Sequence, residues 1–129
     1  MPATKSIQLI LARQLASSVA TPILLVDAEG ALIYYNESAE AIFNMRFDET
    51  GEMPAAEWTA RIAAVGDDRQ PLPPDQRPMM RVLAGRHPIS QKIWTRSAIG
   101  EWRHLRINAI PLIGEKDALQ GAMSIFWEI

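Results

Sequence analysis

The chain contains no cysteine. That excludes a disulfide scaffold, a thiolate zinc centre, an iron–sulfur cluster and a cysteine nucleophile. It also lacks long apolar runs: residues 22–26 are typical, at about five residues where a membrane span needs ~20. There is no basic excess, because thirteen Lys+Arg against fifteen Asp+Glu give a net charge of −2. A general electrostatic grip on nucleic acid needs a strongly basic face, so neither nucleic acid nor membrane is an expected partner. The N-terminus carries Lys5 ahead of a mixed segment broken by Arg13 and Gln14. It has neither the apolar centre nor the small-residue cleavage site of a secretory signal, so the expected location is the cytoplasm. No Gly-rich phosphate loop, Gly-x-Ser-x-Gly elbow or His-Glu-x-x-His motif is present.

What remains is an ordinary globular composition, 48% apolar and 22% charged over 129 residues, the size of one domain. No internal repeat or low-complexity segment divides it. In residues 6–19, Ile7, Leu11, Leu15 and Val19 recur at helical spacing, which predicts an amphipathic helix closed by Pro22. Residues 1–20 are therefore read as a leading helix and residues 21–129 as the domain proper. Two strands are expected at 23–27 and 31–36, joined by the Asp27-Ala28-Glu29-Gly30 turn. Asn36 reads as the cap of a helix carrying Ala39, Ile42 and Phe43.

A second helix is expected over 54–65, with Trp58, Ile62 and Val65 on one face and Gly66 as its stop. A third is expected from Asp75, with Pro78 at its third position and Gly85 as its C-terminal stop. The last third reads as three strands, 89–96, 102–112 and 119–127. A turn around Ile99-Gly100 places Ile93 opposite Leu105, Gln91 opposite Ile107, Trp94 opposite His104 and Arg96 opposite Trp102. Helix, two strands, short helices and three strands, without strict βαβ alternation, predict an α+β domain with an antiparallel sheet.

Residues 23–40, Ile-Leu-Leu-Val-Asp-Ala-Glu-Gly-Ala-Leu-Ile-Tyr-Tyr-Asn-Glu-Ser-Ala-Glu, resemble the opening of a PAS domain. In that family an apolar strand ends in Asp, a Gly turn follows, and a second strand ends in Asn before a short helix. Two further blocks are similar to a bacterial subgroup of the family. One runs from Gln70-Pro71-Leu72-Pro73-Pro74-Asp75 to Leu83-Ala84-Gly85. The other runs from Gly100-Glu101-Trp102-Arg103-His104-Leu105 through Pro111 to Gly121–Ile129. The resemblance covers roughly residues 15–129 and matches poorly over 44–66. It implies a five-stranded antiparallel sheet with short helices over one face. It also implies a sensory or relay module of kinases, cyclases and transcription regulators, not an enzyme. Relatives often run on into an effector, whereas this sequence stops at Glu128-Ile129, which suggests either an excised or a stand-alone sensor.

The chemistry-bearing residues are few. Haem-binding relatives carry their ligand on the helix that His87 follows, but Gly85 and Pro88 predict that His87 lies in a loop pointing away from the cavity. Two histidines without a thiolate leave a zinc site short of ligands. The missing cysteine excludes a flavin adduct. No cofactor is the leading expectation, with haem through His87 or non-covalent flavin as alternatives. Asp27 and Glu29 flank a turn, and turn capping explains them better than acid–base work.

Ile33, Tyr35, Phe43, Trp58, Met80 and Leu83, with Ile93, Leu105, Ile107 and Met123, are the candidate lining of a pocket for a small apolar ligand. Tyr35, Gln91 and Asn108 are its candidate polar groups. In most small domains such a set is simply the core, which leaves a ligand-free interaction domain as the other reading. On the opposite sheet face, Trp94 and Trp102 are costly to leave in water. The Ile7/Leu11/Leu15 stripe also needs burial, since a lone amphipathic helix is marginal. The expectation is that the helix covers the tryptophan face, in its own subunit or in a homodimer partner, with the dimer favoured.

Overall fold

Ser6 opens the first helix, its hydroxyl accepting a hydrogen bond from the Leu9 N–H at 3.2 Å. The computed structural model describes residues 6–129, so the first five residues of the 1–20 segment, Lys5 included, lie outside the described residues. Helix α1 (Ile7–Ser18) leads into strands β1 (Ile23–Asp27) and β2 (Leu32–Tyr35). Three short helices follow: α2 (Glu37–Phe43), α3 (Phe47–Thr50) and α4 (Ala55–Arg61). Helix α5 (Pro78–Gly85) precedes β3 (Ile89–Arg96), β4 (Trp102–Ile113) and β5 (Leu119–Glu128). The strands form one five-stranded sheet in the order β2-β1-β5-β4-β3, with every neighbouring pair antiparallel. The α+β architecture expected from the sequence is the one observed.

The turns explain why the strands pair as they do. Asp27 Oδ1 accepts from the N–H groups of Glu29 and Ala31, both at 3.0 Å, so its carboxylate holds the β1–β2 turn. Gly30 there has φ +86°, which an L side chain rarely adopts. The β3–β4 register is the expected one, Ile93 against Leu105 and Arg96 against Trp102, turning at Gly100.

Alternation then sorts the sheet into two faces. Leu24, Val26, Ile93, Leu105, Ile107 and Phe126 point to the inner face, under α2, α4 and α5. Ile23, Leu25 and Met123 point to the outer face, beneath Leu9, Ala12 and Ala16 of α1. Gly121 lies under that helix because a Cβ there would collide with the Val26 carbonyl and come within 3.0 Å of Leu9. The chain shows no helix, among the described residues, long and apolar enough to cross a membrane.

Several boundaries differ from expectation, each for a local reason. Helix α4 ends at Arg61, not Val65, because Arg77 donates to the carbonyls of Thr59 and Ile62 and closes it there. Val65 is consequently free to exchange backbone hydrogen bonds with Trp94, lying on the open edge of β3. The expected third helix splits into a 3₁₀ turn at Pro74–Gln76 and α5, which places Pro78 at the first helical position, where its missing N–H costs nothing. Arg86, with φ 56°, forms the left-handed cap of α5, so Gly85 is not the stop. The short helix α3 was not expected at all.

Candidate functional site

Asn36 is the hub from which both sheet faces are organised. It is buried, and its Oδ1 accepts from the N–H groups of Ala39, capping α2, and of Ile23 at the start of β1. Its side-chain amide donates to the carbonyls of Ala16, at 2.9 Å, and Thr21, at 2.8 Å. One side chain therefore joins the end of α1, the outer-face helix, to the first strand and to the first inner-face helix.

Between the inner face and helices α4 and α5 lies a cavity of about 50 Å³. Five of the ten candidate lining residues meet there: Phe43, Trp58, Ile93, Leu105 and Ile107. Tyr35 is buried beside them, edge-on to Phe43, with its hydroxyl 3.1 Å from Thr50 Oγ1. Burial pushes the Tyr35 phenol above its ordinary value, with the Thr50 hydrogen bond opposing. Met80 and Leu83 are only partly buried against the same core and do not line the cavity.

Ile33 and Met123 belong to the other side of the sheet, beneath α1. A bulge displaces Ile33: Leu25 pairs with Tyr34 and Val26 with Leu32, leaving Ile33 as the extra residue. Met123 faces outward because its partner Leu25 does. The expected polar groups also move. Gln91 bonds to Arg81 outside the cavity, and Asn108 pairs with Ile125 on β5, away from the cavity lining.

The polar lining is instead Arg77, Thr95 and Ser124, all buried. Arg77 was missed because a charged residue in a Pro-rich stretch reads as surface. Its side chain reaches back to α4, with Nη1 at 2.7 Å from the Ile62 carbonyl and Nη2 at 2.6 Å from that of Thr59. The guanidinium lies 5.8 Å from the Trp58 ring centroid, and Trp58 Nε1 donates to the Gly30 carbonyl at 2.7 Å.

Neither alternative cofactor fits these residues. Pockets for drug-sized ligands run to ~300–1,000 Å³, several times this cavity. His87 is exposed in the loop after α5, and His104 stacks on Trp94 on the outer face, so no imidazole reaches the cavity. Among the described residues no cluster of three His, Cys, Asp or Glu is placed to hold a metal ion.

The outer face is closed at one end and open at the other. Helix α1 packs on β1, β5 and the near part of β4. It does so through Leu9, Ala12 and Ala16, not through the stripe expected from spacing, because its two alanines allow the close approach that Asn36 then fixes. Ile7, Leu11 and Leu15 are left facing solvent, at 68%, 58% and 56% exposure. The helix does not cover Trp94 or Trp102. Trp94 stacks on His104, with centroids 4.1 Å apart, and Trp102 is 51% exposed beneath Arg96. These tryptophans, with Val65, Arg69 and Pro71, line an open groove of about 460 Å³.

The sequence pattern of the PAS fold family matches residues 16–129. No curated protein sequence matches the chain. Among solved structures, the chain is similar to the PAS domain of a protein from Colwellia psychrerythraea, with a TM-score of 0.65 at 15% identity over 94% of this chain and 96% of that one. It is similar to the PAS domain of BvgS from Bordetella pertussis, at 0.66 and 21%, over 96% and 88% of the two chains. A third likeness is the PAS domain of nitrogen regulation protein NR(II) from Vibrio parahaemolyticus, at 0.62 and 14%, over 92% and 98%.

Proposed function

The chain belongs to the PAS fold family, whose members are generally sensory signalling modules, and from that premise we propose that it acts as a dimeric sensor. In this reading the inner cavity holds a small ligand, and α1 joins two copies. The signal passes to an effector such as a histidine kinase, a cyclase or a transcription regulator in the cytoplasm. The domain itself carries no catalysis.

The observation that supports the dimer is the double-sided α1. One side is spent on the sheet, while Ile7, Leu11 and Leu15 form a second apolar line in water. Full burial of each such side chain contributes ~1.5–3 kcal/mol, and a two-fold axis would set this stripe against its own copy. Asn36 supports coupling, since it connects α1 to the strand and helix beside the cavity.

Light scattering on the intact chain tests the proposal. Wild type should run at twice 14.4 kDa, and Leu11→Glu with Leu15→Glu at one chain mass with its fold intact. A wild-type monomer, or a double variant that stays dimeric, overturns the role of α1.

A further inference from the structure

Arg77 is 8% exposed, and none of the ion pairs among the described residues includes it. A guanidinium does not shed its proton in a protein, so a full positive charge stands at the wall of this cavity. Two of its donor nitrogens are satisfied by backbone carbonyls at the end of α4, where the helix presents its negative pole. Its Nε is buried with no hydrogen-bond partner. Burial is the one influence that shifts its titration, and it does so downward, with no anion to offset it. A buried charge without an opposite charge is among the costliest arrangements in a protein.

The rest of the cavity is apolar apart from two hydroxyls. Thr95 already donates its proton to the Ala63 carbonyl at 2.7 Å, which leaves Arg77 and Ser124 as the lining side chains able to donate. The volume, about 50 Å³, exceeds what one water requires and suits a molecule of a few heavy atoms. A phosphate or sulfate would set a tail-less, heavily hydrated anion against Phe43, Ile93 and Ile107. A neutral alcohol or amide would leave the guanidinium without a counter-charge.

We propose that the inner cavity takes a short-chain aliphatic monocarboxylate. Its carboxylate pairs with the Arg77 guanidinium at the cavity wall, and its tail lies against Phe43, Ile93, Leu105 and Ile107. This rests on the sensory reading above and names the chemical class of its ligand. A charge-assisted hydrogen bond of this kind is roughly twice as strong as a neutral one, so charge, more than shape, selects the ligand.

Titration calorimetry on the intact chain with butyrate, butyramide and 1-butanol tests this without altering the protein. Butyrate should bind at least about tenfold more tightly than either neutral isostere, since a site built around one polar group rejects analogues lacking it. Arg77→Gln should abolish the preference. Because Arg77 also closes α4 and its loss threatens folding, Ala64→Val supplies a second variant. It fills the cavity, leaves Arg77 in place, and should weaken butyrate by a similar factor. Equal binding of butyrate and butyramide overturns the charge pairing, and unchanged binding to Ala64→Val moves the site out of the cavity. Failure of butyrate, propionate and acetate alike to bind overturns the carboxylate assignment while leaving the chain mass seen by light scattering to judge the dimer separately.

Discussion

The two faces of one sheet are finished in opposite ways. The inner face is closed by several short helices whose ends are tied by side chains: Trp58 to the Gly30 carbonyl, Arg77 to the end of α4, Asn36 to the start of α2. Short helices cannot tile a surface without gaps, and the gap they leave is the cavity. The outer face is closed by a single helix through one leucine and two alanines, over only part of its area. The inner face thus uses polar contacts to anchor helices around a cavity, while the outer face uses small residues to bring one helix close and leaves apolar surface uncovered.

The sharpest way to break this division is to remove the residue shared by both faces. Asn36→Ala strips the cap from α2, leaves the buried Ile23 N–H without its acceptor, and removes one donor from each of the Ala16 and Thr21 carbonyls. Each such loss costs ~1–3 kcal/mol, so chemical denaturation should show a loss of at least about 3 kcal/mol, with α1 amides exchanging faster than in wild type. A smaller effect confined to the inner face is expected from Trp58→Phe. It keeps an aromatic, though smaller, ring but orphans the Gly30 carbonyl, and should lower stability by about 1–2 kcal/mol without changing the chain mass seen by light scattering.

Much of this organisation is written in the residues. The Asp27 turn, the Asn36 cap and the β3–β4 register were legible because each rests on local chemistry: a side chain bonding its own turn, a cap, a glycine at positive φ. The packing side of α1 was not. The i, i+4 series of large residues reads more strongly than Leu9 with two alanines, yet close approach favours the small side chains. Ile33 and Met123 were misplaced because β1, β2 and β5 are apolar on both faces, so alternation carries no polarity, and a bulge then shifts the count. Arg77 was invisible because its burial depends on the end of a helix fifteen positions earlier in the chain.

The absence of cysteine permits a direct test of the outer-face claim, since any thiol introduced is the sole one. Leu11→Cys places it on the exposed stripe of α1, and Lys92→Cys places it on the exposed part of β3. Under mild oxidation at equal concentration, Leu11→Cys should convert rapidly to a disulfide-linked pair that keeps the wild-type Tm, and Lys92→Cys should remain single-chain. If Leu11→Cys cross-links no faster than Lys92→Cys, the stripe on α1 is not the surface that joins two copies.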